Sequence, residues 1–206
     1  MGSVFDLSTQ HDGVDARIVA TLERLSQVFR VRLREEAQEH NLSPIQAQFM
    51  IYLLHHDVEL RRVSQLAREF DLTQATASDA IASLETKGFV RREQWSEDRR
   101  VVTLRLTPDG EKLASTLSNW ADPVSEHLER FSPEEREAVM CFLMELVRSL
   151  QKSGLITVAR MCVTCRFFGR DVHPGAALPH HCGLLDVPLG GPNVRVDCPE
   201  HEAAVG

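Results

Sequence analysis

The chain has 206 residues, 43% of them hydrophobic, and a formal net charge of −7 at pH 7. That suffices for one sizeable domain and an appendage. No apolar run approaches the roughly 20 residues a spanning helix needs, and MGSVFDLSTQHDG lacks the basic-then-apolar order of an export signal, so a soluble, cytoplasmic protein without a membrane partner is expected.

VDARIVATLERLSQVFRVRLREEAQEH places Ile18, Leu22, Leu25, Phe29 and Leu33 at helical spacing and predicts a long helix with one apolar stripe. In NLSPIQAQFMIYLLHHD, Ser43 suits an N-cap and Pro44 the first helical position. A short helix, RVSQLAREF, is expected to end near Asp71. In LTQATASDAIASLETKGFV, Thr73 can cap a further helix and Gly88 can end it. Ala77, Ile81 and Leu84 share one face of that helix, while Gln74, Ser78 and Asp79 point elsewhere. A helix, a tight turn and a second helix of small residues form a helix-turn-helix pattern.

The next segment, FVRREQWSEDRRVVTLRLT, reads as a β-hairpin. Its second half alternates, with Val102, Leu104 and Leu106 on one face and Thr103 and Arg105 on the other. Residues 89–95 supply the partner strand, and SEDRR the turn. A hairpin placed directly after a helix-turn-helix is a wing. The acidic total charge argues against a nucleic-acid partner, but charge is local. From Lys87 to Arg105 there are six basic residues (Lys87, Arg91, Arg92, Arg99, Arg100, Arg105) and three acidic ones (Glu93, Glu97, Asp98).

LTPDGEKLASTL opens another helix, with Thr107 as cap and Pro108 in its first turn. Its stripe of Leu113, Leu117, Trp120, Val124, Leu128 and Phe131 contains Pro123, which should kink or break it. FSPEEREAVMCFLMELVRSLQ begins a last helix with a Ser132/Glu135 capping box. Its lone Cys141 reads as a small core residue rather than a peroxide-sensing thiol. Beyond about residue 158 the helical period stops and Gly, Pro, His and Cys take over.

The segments LTQATASDAIASLETKGFVRR and DRRVVTLRLTPDG resemble the MarR family of bacterial transcriptional regulators. The family pattern is Leu-Glu-x-x-Gly closing the recognition helix, Asp-x-Arg in the wing, then Leu-Thr-x-x-Gly. Here these are Leu84, Glu85 and Gly88; Asp98 and Arg100; and Leu106, Thr107 and Gly110. The order of the flanking helices also agrees, so the resemblance covers residues 12–157 as one DNA-binding and dimerisation unit. It implies a mainly α winged helix-turn-helix with a small β-hairpin wing and long dimerisation helices. It also implies a two-fold homodimer built from the stripes Ile18–Leu33 and Val139–Leu150, reading a pseudo-palindromic double-stranded DNA site. The DNA-binding residues would be Thr73, Gln74, Thr76, Ser78 and Asp79 on the recognition helix, with Arg91, Arg99 and Arg100 on the wing. Asp98 would brace the wing. Base edges in the major groove suit the helix, and the narrow minor groove suits the arginines.

Residues 158–206 hold Cys162, Cys165, Cys182 and Cys198 in the spacing Cys-x2-Cys-x16-Cys-x15-Cys. This tail has too few large apolar residues to fold by burial alone and is expected to be stapled by a metal. A structural disulfide is disfavoured because no export signal is seen, which leaves a redox disulfide or disordered thiols as the alternatives to metal. The spacing resembles the cluster-binding part of high-potential iron–sulfur proteins, Cys-x2-Cys-x16-Cys-x13-Cys, with the last interval two residues longer here. That resemblance implies an iron–sulfur cluster on the four cysteines, a 4Fe-4S cubane rather than a 2Fe-2S form. Phe167, Phe168 and GLLDVPL would supply a dry sleeve. Zn is the alternative, either on the four cysteines or as Cys162, Cys165, Cys198 and His201. His180, His181 and His201 read as supporting or surface residues rather than ligands.

The expected function is a DNA-binding transcriptional regulator whose cluster senses redox state, iron or a reactive gas. One alternative keeps the regulator but makes the tail a structural zinc staple, with a small aromatic effector as signal. A second is an electron-transfer or protein-interaction accessory. No nucleophile–base pair, phosphate loop or paired-carboxylate motif stands out, so an enzyme is not expected.

Overall fold

The computed structural model describes Ser3, Asp6 and residues 13–94, 101–156, 158–191 and 193–204. Seven α-helices lie among them: α1 (Val14–Glu39), α2 (Pro44–His55), α3 (Val63–Glu69), α4 (Gln74–Thr86), α5 (Pro108–Leu117), α6 (Asp122–Leu128) and α7 (Pro133–Lys152). Strands β1 (Val90–Gln94) and β2 (Val102–Leu106) form an antiparallel hairpin in the register Val90↔Leu106 to Gln94↔Val102. Three short strands, β3 (Phe168–Gly169), β4 (His180–Cys182) and β5 (Val187–Leu189), form a second antiparallel sheet in the tail. No helix among the described residues is long and apolar enough to cross a membrane.

The helix ends follow the local chemistry. Ser43 and Ser132 each accept from the N3 backbone amide in a full capping box, with Gln46 and Glu135 as reciprocal partners. Thr73 and Thr107 cap α4 and α5. Helix α4 closes in a Schellman turn. Gly88 sits at φ 78°, its N–H donates to Glu85, and the Phe89 N–H donates to Leu84. Asn41 and Asp71 adopt the same left-handed turn after α1 and α3. Pro123 does break the expected stripe: α5 ends at Leu117, a 3-10 turn covers Ser118–Ala121, and α6 starts afresh with Pro123 in its first turn.

The core packs α2 against α5 and α1, and α3 against α4. Phe49, Met50, Leu53, Leu66, Ile81, Leu84, Leu104 and Leu117 are fully buried in it. The wing is tied in from both sides, because the Leu104 N–H donates to the Arg61 carbonyl at 2.7 Å. Its alternation departs from the expected one. Leu104 and Leu106 face the core, but Val102 is exposed and Thr103 is only 1% exposed. The Thr103 hydroxyl is satisfied by the Glu93 carbonyl across the hairpin, which lets a polar residue occupy a buried position.

Helix α7 is amphipathic, yet within one chain its only buried residue is Met144. Val139 and Phe142 stand 58% and 48% exposed, and Phe131, Leu128, Leu25 and Val28 also lie open. Cys141 is exposed too, against its expected place in a core. The stripe of α1 is likewise split: Leu33 is buried, while Leu25 and Phe29 are exposed, and Phe29 packs edge-on against Trp120.

Thr107 joins three elements at once. Its hydroxyl donates to the Gly88 carbonyl at 2.7 Å and accepts from the Gly110 N–H at 3.1 Å. Its own N–H donates to the Phe89 carbonyl at 2.9 Å. Gly110 rests on that peptide so closely that a Cβ would collide with the Phe89 carbonyl oxygen. Gly110→Ala is therefore expected to destabilise the fold by roughly 1–3 kcal/mol through forced overpacking. Urea unfolding at fixed protein concentration checks this, and an unchanged midpoint would refute it.

Candidate nucleic-acid interface and cysteine site

Helix α4 presents Gln74, Thr76 and Asp79 to solvent, with Ser78 half-buried and Ala77, Ile81 and Leu84 fixing the opposite face in the core. Thr73 precedes the helix, and its hydroxyl is already engaged, accepting from the Thr76 N–H at 3.1 Å and lying 2.9 Å from the Thr76 hydroxyl. Thr73 thus holds the N-terminus of α4, whose unbonded amides and positive dipole end favour a phosphate.

The basic island is less free than its composition suggests. Lys87 donates to the Asn41 carbonyl at 2.6 Å and reaches Gln46, pinning the end of α4 to α1 and α2. Arg92 pairs with Glu85 at 3.1 Å. Arg91 and Arg105, paired across the hairpin, share Glu93 at 2.7 and 2.6 Å. Arg91 therefore sits in an exposed, wing-internal ion pair of the kind that contributes little to stability. Asp98, Arg99 and Arg100 lie outside the described residues.

The tail is built around its cysteines. A 3-10 turn over Cys162–Thr164 presents Cys162 and Cys165, whose backbone N–H donates to the Cys162 carbonyl. The C-terminal segment runs alongside: the Cys162 N–H donates to the Arg195 carbonyl and the Cys198 N–H to the Arg160 carbonyl. Cys182 ends β4, opposite Phe168 and Val187. All four cysteines line one hollow, walled by Phe167, Phe168, Leu184, Leu185 and Leu189, with Glu200 at its rim. Burial pushes the Cys162 thiol up, with the Arg195 N–H opposing it through a hydrogen bond to Sγ at 3.2 Å. Burial likewise raises Cys198, whose sulfur donates to Glu200 at 3.3 Å. The Arg195 guanidinium lies 3.6 Å from Cys198 Sγ. Among the described residues no three thiol, imidazole or carboxylate groups sit close enough together to grip a single ion.

The histidines stand aside from this hollow. His201 Nε2 lies 3.0 Å from the Thr164 hydroxyl, which donates to the Ala159 carbonyl. His180 pairs with Asp171, and His181 bridges His173 and Asp186. A second hollow of about 140 Å³ separates α7 from the tail, lined by Met140, Cys141, Met144, Phe168, Arg170 and His180 among others.

One constellation has no local signal in the sequence. Arg160, with its side chain only 12% exposed, pairs with Glu69 of α3 at 2.9 Å and with Asp197 at 2.8 Å. His56, just past α2, lies 2.8 Å from both the Asp197 carboxylate and the Arg160 guanidinium. Its Nδ1 lies 2.9 Å from the Tyr52 carbonyl. Burial alone would raise the Asp197 carboxyl, but hydrogen bonds from Arg160 and His56 hold it below the usual carboxylate range.

Comparison with known proteins bears on the helical part. The MarR family model matches residues 46–102. The uncharacterized HTH-type transcriptional regulator YfiV of Bacillus subtilis is 30% identical over 107 residues, which are 52% of this chain and 67% of that protein. The chain belongs to the MarR family. The HTH-type transcriptional repressor YetL of Bacillus subtilis is also 30% identical, over 51% of this chain. Escherichia coli transcriptional regulator HosA is 37% identical over 39% of it. The chain spans 65% of YetL and 58% of HosA. The fold is shared with Staphylococcus aureus MepR in its DNA-binding conformation, at a TM-score of 0.57 and 22% identity over 65% of this chain and 98% of that one. The MepR–DNA complex gives 0.56, at 22% identity over 64% and 97%. The MarR family match stops well short of the cysteine tail.

Because Thr73 spends its hydroxyl on capping, Thr73→Ala is expected to cost about 1 kcal/mol and Thr73→Ser to restore most of it. Thermal unfolding of the three proteins checks the assignment. Equal losses for both substitutions would remove the cap from it.

Proposed function

We propose that this MarR-family chain is a homodimeric transcriptional regulator that binds double-stranded DNA. Its tail would carry an iron–sulfur cluster on Cys162, Cys165, Cys182 and Cys198, through which redox state, iron or a reactive gas acts on DNA binding. The observation that carries the DNA-binding part is the exposed polar face of α4, locked at its C-terminal end to a hairpin that continues toward Arg99 and Arg100. A helix so framed fits a major groove while the hairpin tip meets the backbone or minor groove. Arg91, Arg92 and Arg105 are each paired with a glutamate, and on the family resemblance Arg91, Arg99 and Arg100 are the wing cations assigned to DNA. The exposed apolar faces of α1 and α7 support the dimer, since a second copy would cover them.

What supports a metal centre is the gathering of four cysteines from three separate stretches of sequence around one apolar hollow. Thiolates there would be steadied by the Arg195 N–H and guanidinium. A single zinc ion, with Zn–S near 2.3 Å, draws its four sulfurs to within about 4 Å of one another. His201, turned to Thr164, is left out of the ligand set.

Arg100→Ala is expected to weaken duplex binding about tenfold and to lower the salt-dependence slope by about 1. Fluorescence anisotropy against salt concentration reads both, and unchanged binding and slope would remove the wing from the interface. For the tail, iron, sulfide and zinc analysis of anaerobically purified protein should find iron and sulfide. Cys182→Ser should lose the metal and His201→Ala should keep it. One zinc per chain without sulfide would make the tail a structural staple, and loss on His201→Ala would restore the histidine scheme.

A further inference from the structure

Among the described residues the tail meets the helical part on two sides. On one side its Cys162–Thr164 turn lies against α7, and Arg170 pairs with Glu145 of that helix. On the other, Arg160 and Asp197 reach the helix-turn-helix at His56 and Glu69. Asp197 is adjacent to Cys198, and Arg160 lies two residues before Cys162. The Cys198 N–H donates to the Arg160 carbonyl, so both residues of the bridge belong to the backbone that frames the hollow.

The chemistry of this junction suits a switch better than a glue. The Arg160 and Glu69 side chains are only 12% and 21% exposed, while Asp197 is 47% exposed. A shielded pair such as Arg160–Glu69 contributes less net stability than apolar packing, yet demands exact geometry and penalises a stranded partner. The Tyr52 ring also belongs to the junction, stacking on His56 and lying under Arg160. A segment that only had to be anchored would gain more from apolar contacts.

Resting on the reading of the cysteine hollow as a metal centre, we propose that the Glu69–Arg160–Asp197 bridge couples occupancy of that hollow to the position of α3, and so to DNA binding. Drawing Cys162 and Cys198 onto a common metal core fixes the two backbone segments that carry Arg160 and Asp197. The guanidinium is then held in register with Glu69, at the end of the first helix of the helix-turn-helix. When the core is lost, the segments part, Arg160 is released, and α3 loses its brace against the tail. Glu69, Arg160 and Asp197 are positioning residues, none of which needs to touch DNA.

The test uses the untagged full chain, loaded anaerobically with iron and sulfide or separately with zinc(II), and the same protein stripped by a chelator. Affinity is measured for a duplex selected from a random-sequence library. For the wild type the loaded and stripped affinities should differ by about tenfold, an ordinary size for coupling between sites. In Asp197→Asn, and in Glu69→Gln, which lies outside the tail, metal content should stay at the wild-type level. The ratio should fall to about twofold or less, as expected when the coupling itself is removed. Variants that retain metal and keep the full ratio overturn the bridge, as does an equal loss of affinity in both states, which marks a merely structural role. A wild type that holds metal but shows no ratio overturns the coupling and leaves the metal centre standing. A wild type that takes up neither metal overturns both.

Discussion

The relative setting of α4 and the hairpin depends on one small contact, the meeting of Gly88, Phe89, Thr107 and Gly110. The recognition helix ends, the wing begins, the wing returns and the next helix starts within a few ångströms. Every polar group at that crossing is spoken for. The Thr107 hydroxyl serves Gly88 and Gly110, and its N–H serves Phe89. The two glycines answer two different demands. Gly88 takes a left-handed turn that other residues resist, and Gly110 omits the Cβ that would strike the Phe89 carbonyl. The consequence is a fixed angle between α4 and the hairpin.

Electrostatics on this surface follows from the same economy of contacts. An acidic chain can still address a polyanion if its cations are placed well and its anions are kept busy. Glu85 and Glu93 lie beside the candidate interface, but each is engaged, Glu85 by Arg92 and Glu93 by Arg91 and Arg105. These pairs stiffen the base of the wing rather than advertise charge. The exposed pairs are worth little in stability, so their value lies in holding the hairpin's direction.

The tail is the part of the chain with the least core and the most dependence on its partners. Its sheet strands are two or three residues long, and a sheet of that size is marginal without a staple. Four cysteines line one apolar hollow, and the charged bridge through Arg160 ties the tail to His56 after α2 and to Glu69 of α3. Helix α7 meets the tail on its other side while its apolar face stays open. The tail therefore sits between the helix-turn-helix and the face that a second chain would cover.

Local physics was legible in the residues themselves. Caps at Ser43, Thr73, Thr107 and Ser132, the stop at Gly88 and the break at Pro123 are short-range effects of hydrogen bonding and backbone sterics, and all of them stand in the structure. Periodicity found α1 and α7 but could not say what covers their stripes, because an amphipathic face looks the same whether its partner is intramolecular or a second copy. For that reason Cys141 read as core and is exposed. Alternation misjudged Val102 and Thr103, since a hydrogen bond across the hairpin can bury a threonine. Spacing alone could not choose between Cys182 and His201, and the tertiary structure put Cys182 on the hollow and turned His201 to Thr164. The Glu69–Arg160–Asp197 bridge lay wholly outside the sequence's reach. Its members are 91 and 37 residues apart, and pairing over such separations is decided only when the whole chain has folded and brings the charges together.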